Sequence, residues 1–364
     1  MAREKTETED FDVFFDKMLD QELKARAKEV KIFNHPIHNY STGILPLDYM
    51  FNPKNPGILG GSLVMFAGET HSGKTTVLMN MSRDTLSKGH KVVYIDAEGG
   101  LTDNFSQLFG ITKYGTPGFK YVKSNLKVEQ YYKILTETLE NLQGKPDPVL
   151  IGIDSVPQLY PENDISKGVR VGGNNQTFNN MLKPITRLLG NTNALIVMIN
   201  SVYASMAGQA WLEEYKIAGG MMIQMRSNLT CITHKRSNPS KDKCGKDEHY
   251  FTKDEDSGNE VVYRQKLGLR IVKNKWAPLD KSSKLDYYLN TKDSYVPTGL
   301  DNAWAMLQTL KEAGELRYAG NAGYKMDEMA MSWKDWEHAC YGGGDILTKV
   351  VNKTMAVLDK QYNQ

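Results

Sequence analysis

Residues 63–75 constrain this chain more than any other stretch. An apolar run with the composition of a strand, Leu63–Ala67, leads into Gly68-Glu69-Thr70-His71-Ser72-Gly73-Lys74-Thr75, and Thr76–Leu86 continues with a helical pattern. The octet satisfies G-x-x-x-x-G-K-[S/T], in which the two glycines let the backbone wrap closely around a phosphate chain. Its N–H groups converge at the positive end of the following helix, a combination that attracts anions. Lys74 is expected to neutralise the outer phosphates and the Thr75 hydroxyl to ligate Mg2+. The cofactors read from this loop are therefore ATP and Mg2+, with Gly68 to Thr75 and the adjoining Thr76 as nucleotide-binding candidates.

Beyond the loop, short β-rich runs alternate with helix-length segments: Lys91–Asp96, Val149–Asp154, Ala194–Asn200, Leu229–His234 and Leu267–Val272. That alternation predicts an α/β fold with a mainly parallel sheet flanked by helices. The closer spacing of the last runs predicts antiparallel additions at one edge. Residues 236–260 are polar enough for a long loop or hairpin. At the N-terminus, Phe11, Phe14, Phe15, Met18, Leu19 and Leu23 form an apolar stripe over residues 8–31, predicting an amphipathic helix. Its stripe is covered either by its own domain or by a neighbouring subunit. From about residue 298 the character is helical, with Trp304, Leu307 and Leu310 and then Trp333–Trp336. At 364 residues, 40% hydrophobic and 24% charged, the composition is that of a soluble globular protein. No apolar run reaches membrane-spanning length, so no membrane partner is expected. The three scattered cysteines argue for a reducing cytoplasm rather than a disulfide framework.

A phosphate loop needs a second carboxylate near its metal. Val149–Asp154 is an apolar strand ending in an acid, which makes Asp154, with Thr75, the candidate metal-binding pair. Hydrolysis also needs a group to orient water. Glu98 stands just past the strand Lys91–Asp96, which is expected to lie beside the phosphate-loop strand, and it is the candidate for polarising the attacking water.

Taken in order, these pieces resemble the RecA family of recombinases, across roughly residues 41–290. Ser41-Thr42-Gly43, with Leu47-Asp48, is similar to the family's approach to the first strand; Ile95–Glu98 resembles its catalytic glutamate segment and Ile153–Val156 its metal-site strand. Ile199-Asn200 stands where the family senses the γ-phosphate, although its usual glutamine is Ser201 here. The acid that meets adenine in the family falls at Thr102, with Asp103 beside it. Val272–Lys275 resembles the "KNK" segment, which implies that Lys273 and Lys275 act with Lys74 and Glu98 in catalysis, reaching in trans to a neighbour's ATP. The resemblance further implies a RecA-like core over 41–295, a helix and linker for protomer–protomer contact over 1–40, and a small C-terminal helical domain over 296–364. Size and divergence suggest a bacteriophage-type (UvsX-type) member, working in the bacterial host cytoplasm if phage-encoded.

Two stretches after strand ends have the make-up of single-stranded DNA contacts: cations for phosphates, small residues for close approach, apolar groups for stacking. The first carries Lys167, Arg170, Gly172 and Gly173, and the second Tyr203, Met206 and Trp211. Gly219 and Gly220, before Met221, resemble the double glycine opening the helix after the family's second DNA loop. The implied partners are single-stranded DNA, homologous duplex DNA and further copies of the chain in a helical filament, with a single-strand-binding protein and a loading mediator as accessory partners. The function so read is ATP-dependent homologous pairing and strand exchange. A hexameric replicative helicase shares the core and trans cations, and an ATP-gated scaffold or mediator is a third reading, against which Glu98 argues. Cys231 and His234, with Cys244 and His249 following, suggest zinc, but positions i and i+3 of a strand point to opposite faces. His71 is read as a contact residue without chemistry, and Trp333 with Trp336 as core.

Overall fold

The computed structural model describes residues 35–123, 127–158, 173–204, 215–218, 221–235, 251–253, 260–262, 264–279, 284–290 and 298–362. The helix expected over 8–31 lies outside these residues. The described chain opens with strand β1 (Asn39–Tyr40), helix α1 (Leu45–Phe51) and strand β2 (Ile58–Leu59), and β1 pairs antiparallel with β2. Between them Asp48 organises the backbone. Its carboxylate accepts from Thr42 N at 2.8 Å, Thr42 Oγ1 at 2.7 Å and Ser41 Oγ at 2.5 Å. Thr42 O in turn accepts from Asn80 Nδ2 at 2.5 Å, which fastens this entry segment to the helix that follows the phosphate loop. Gly43 is required there, because it has φ +81° and an added Cβ would sit 2.1 Å from Asn80 Nδ2.

The central sheet contains β3 (Ser62–Gly68), β4 (Lys91–Asp96), β5 (Phe119–Lys123), β6 (Val149–Asp154), β7 (Ala194–Ala204), β8 (Tyr215–Ile217) and β9 (Leu229–Lys235). After a separate hairpin of β10 (Phe251–Lys253) and β11 (Glu260–Val262), it is completed by β12 (Arg264–Asn274), β13 (Lys284–Asn290) and β14 (Gly299–Leu300). Its order is β14-β13-β12-β9-β3-β7-β6-β4-β5, with β8 paired to the end of β7. Strands β9, β3, β7, β6, β4 and β5 run parallel, and β12 to β14 extend the β9 edge antiparallel. The strand carrying Asp96 is therefore not the neighbour of the phosphate-loop strand, as sequence alone suggests. The connection from β3 to β4 crosses two positions, which β7 and β6 fill. All seven residues of β3 are buried, because the strand lies mid-sheet with layers on both faces. Strand order turns back at β3, and crevices at such points are where α/β sheets bind ligands.

Side chains alternate between the two layers. Val64, Phe66, Leu195 and Val197 pack with Val77, Leu78 and Met81 of α2 (Lys74–Ser87). Leu63, Met65, Ile196 and Met198 pack on the other face with Tyr131, Leu135 and Leu139 of α4 (Val128–Leu142) and Leu182, Ile185 and Leu189 of α5 (Gly173–Leu189). The short α3 (Asp103–Gln107) follows β4, and α6 (Met221–Arg226) precedes β9.

The C-terminal part is helical but not only helical. Helices α7 (Asn302–Glu312), α8 (Trp333–Gly342) and α9 (Gly344–Tyr362) are joined by a small antiparallel sheet of β15 (Arg317–Tyr318), β16 (Tyr324–Met326) and β17 (Met329–Met331). Strands of two or three residues are too short to show a period of two in sequence. Trp336 is fully buried with Leu307, Leu310 and Met326, in agreement with a core role. This part is tied to the sheet by a buried ion cluster: Arg264 Nη2 of β12 donates to Glu337 Oε1 at 2.8 Å and also to Asp301, the residue that caps α7. No helix of the described residues is long and apolar enough to cross a membrane.

Candidate functional site

The phosphate loop joins the end of β3 to the start of α2. Gly68 is enclosed, since a Cβ there would lie 2.4 Å from Ser72 Oγ and from Thr233. Gly73 has φ +87°, and a Cβ would meet Leu267 at 2.5 Å. Both glycines are thus fixed by close approach rather than by composition. Ser72 is buried and its hydroxyl bonds Thr233 Oγ1 of β9 at 2.8 Å, while Glu69, Thr70 and His71 are exposed. Thr76 is buried at the first turn of α2. Lys74 Nζ donates back to Gly68 O at 3.0 Å and Glu69 O at 2.6 Å, so its ammonium spans the loop. Burial pulls that ammonium below the usual lysine range, opposed by Asp154, Glu98 and Glu69. A cation so held is a ready partner for a phosphate.

Thr75 Oγ1 donates to Asp154 Oδ2 at 2.7 Å, and Tyr94 OH donates to the same oxygen at 2.7 Å. Burial raises the Asp154 carboxyl above its ordinary range, and the two hydroxyls oppose that rise. One hydroxyl beside one carboxylate gives hard oxygen donors. Among the described residues no group of three or more His, Cys, Asp or Glu side chains gathers to hold a metal. That donor set fits Mg2+, which keeps waters and phosphate oxygens in its shell and needs few protein ligands.

Glu98 reaches the same edge by way of β6, not β3. Ala97 N and Glu98 N both donate to Asp154 O, at 2.7 Å and 3.2 Å, and Ser155 Oγ stands 3.4 Å from Glu98 Oε2. The carboxylate of Glu98 is exposed, as a water-orienting group requires. Asp96 builds the turn beneath it: Oδ1 accepts from Gly99 N and Gly100 N, and Oδ2 from Leu101 N and Tyr121 OH.

Other candidates sit apart from this centre. Asn200 is buried on the sheet face opposite α2, where Nδ2 donates to Ala218 O at 2.8 Å and contacts Met65 Sδ. Its amide links β7 to the segment returning from the second loop and does not touch the phosphate loop. Thr102 caps α3 by accepting from Phe105 N, and the exposed Asp103 pairs with Lys113 at 3.3 Å. Lys273 Nζ donates to Gln224 O at 2.6 Å and Met225 O at 2.7 Å, at the end of α6 in its own chain. Lys275, just past β12, is exposed. Tyr203 is 53% exposed on β7, opposite Lys216 of β8. Gly173 and Met221 begin α5 and α6. Lys167, Arg170, Gly172, Met206, Trp211, Gly219 and Gly220 lie outside the described residues.

Sequence reasoning missed Tyr94, Asp96, Tyr121, Ser155 and Thr233. One signal was available: a tyrosine within the buried strand Lys91–Asp96 carries a hydroxyl that must find a partner.

A family model described as the RecA N-terminal domain matches residues 27–292. A plasmid RecA protein of Lactococcus lactis subsp. lactis is 30% identical over 194 residues, covering 52% of each chain. The RecA protein of Wolinella succinogenes is 26% identical over 198 residues, covering 53% of each, and that of Sulfurovum sp. is 24% identical over 271 residues, covering 73% of this chain and 70% of the relative. The chain thus spans about half the length of the first two of these relatives.

Proposed function

This chain belongs to the RecA family, and on that premise we propose that it is an ATP-dependent recombinase, assembling as a helical filament on single-stranded DNA and exchanging strands with homologous duplex. The observation that carries this reading is the Thr75–Asp154 pair beside Lys74, with Glu98 fixed to the Asp154 backbone. Gly68–Thr75 would hold the phosphates of ATP, and Thr75 and Asp154 would hold Mg2+, which supplies charge neutralisation on the phosphate oxygens when bound. Lys74 steadies the terminal phosphate and Glu98 accepts a hydrogen bond from the attacking water.

The trans role belongs to the same proposal. Lys275 is exposed and free to meet a neighbour's nucleotide, whereas Lys273 must first leave the α6 carbonyls. In exchange it couples the helix after the second loop to nucleotide state. The segments that follow β6 and β7 would grip single-stranded DNA, a reading supported by the parallel course of these two strands with β3, which ends at the phosphate loop. Asn200 then acts through Ala218, at the second loop's return, rather than through direct phosphate contact. Accessory partners would be a single-strand-binding protein and a loading mediator, in a bacterial cytoplasm. The bacteriophage-type branch, read from size and divergence, belongs to the same proposal. The test is phosphate release from Mg-ATP with and without single-stranded DNA. Hydrolysis stimulated by DNA is expected, and hydrolysis that ignores DNA contradicts the recombinase reading.

A further inference from the structure

Tyr94 and Tyr121 are direct register partners on β4 and β5, with rings stacked at 6.3 Å and 25°. Each spends its hydroxyl on a different acid of the site. Tyr94 donates to Asp154 Oδ2, and Tyr121 donates to Asp96 Oδ2 at 2.7 Å. Asp96 in turn receives the N–H groups of Gly99, Gly100 and Leu101, closing the turn from which Glu98 projects. Gly152 is the register partner of Tyr94 on β6, so no side chain separates the phenol from Asp154 two residues later. The outer ring is itself held: Tyr114 meets it edge-on at 5.7 Å and Lys113 Nζ lies 5.0 Å over its face. A phenylalanine would keep the ring at both positions and lose only the hydroxyl. The hydroxyls are what tie the stacked pair to the two carboxylates.

We propose that Tyr94 and Tyr121 are positioning residues, which together fix the metal-facing acid and the water-orienting acid relative to each other. The proposal rests on the nucleotide-site reading above. Tyr94 orients Asp154 and so governs how readily Mg2+ joins the bound nucleotide. Tyr121 stiffens the Asp96 turn and so governs the reach of Glu98, with no direct effect on metal. Partners that orient metal ligands typically carry about 10–100-fold in metal affinity or activity.

The test is a Mg2+ titration of binding of a fluorescent ATP analogue, with single-turnover hydrolysis alongside, for wild type, Tyr94→Phe and Tyr121→Phe. Tyr94→Phe is expected to raise the Mg2+ half-saturation about tenfold while affinity at saturating Mg2+ changes less than about twofold. Tyr121→Phe is expected to leave the half-saturation unchanged and slow hydrolysis about tenfold at saturating nucleotide. An unchanged Mg2+ half-saturation in Tyr94→Phe, or equal losses in both readouts for both variants, overturns the proposal. If Tyr94→Phe does not fold, Tyr121→Phe decides, and a wild-type hydrolysis rate there overturns the paired arrangement. Failure of the wild type to bind the analogue at any Mg2+ concentration overturns the nucleotide-site reading, and this proposal with it.

Discussion

At the scale of single residues the site is built from a few obligatory contacts. Lys74 holds two loop carbonyls where phosphate oxygens would compete for its protons. Alanine offers no ammonium to the phosphates, so Lys74→Ala should weaken ATP binding by about 100-fold in an equilibrium binding assay. Unchanged affinity would remove the phosphate loop from the account. Glu98→Gln keeps the size and loses the basic oxygen. It should bind ATP and DNA normally and hydrolyse about 10²- to 10⁴-fold more slowly, and surviving turnover assigns the water to another group. These residues are legible in sequence because their spacing is local. The partners of Tyr94 and Thr233 are not, since each lies on another strand or in the phosphate loop and only the sheet brings it near. Asn200 shows the converse. It follows the expected motif order in sequence, and its side chain lies on the face opposite α2, where the amide donates to Ala218 O.

At the scale of elements, the strands over 91–96 and 149–154 match their expected limits residue for residue, because apolar runs bounded by polar turns mark them. Strand order was not legible. Alternation of strand and helix demands parallel pairing but does not say how many positions a crossover skips, and here β3 to β4 skips two. The consequence is chemical, for the segment carrying Glu98 is fixed by backbone bonds to Asp154 of β6 and not by pairing with β3. At the other edge, β12 carries Lys273 toward α6 and ends before Lys275. Lys275 is exposed, so in Lys275→Ala the thermal midpoint of the isolated subunit should move by less than about 2 °C while ATP-dependent assembly on DNA weakens. Normal assembly by this variant removes the trans role.

At the scale of the whole molecule, the C-terminal part is held to the sheet by Arg264, Asp301 and Glu337, all nearly inaccessible to water. Removing the cation strands two buried acids, so Arg264→Met should cost about 3–5 kcal/mol in denaturant unfolding. Burial pushes the Glu337 carboxyl up to about 7 from an ordinary 4.5. Between those values the native protein keeps a proton that the unfolded chain has released, so this group's stabilisation declines as pH rises from about 4.5 to about 7 and is level above. Glu337→Gln should remove that slope in melting curves, and parallel curves for the two proteins contradict the assignment. Hydrophobic periodicity made the C-terminal helices legible, but not this cluster, whose members are far apart in the chain, nor the three short strands between α7 and α8. Above the single subunit, the exposed Lys275 and Glu98 make sense if the nucleotide is a joint between protomers. Electron microscopy of the protein with single-stranded DNA, Mg2+ and a slowly hydrolysed ATP analogue tests this most directly. Striated helical filaments that vanish when nucleotide is withheld or in Lys74→Ala are the expected result; closed rings, or assemblies indifferent to nucleotide, would contradict it.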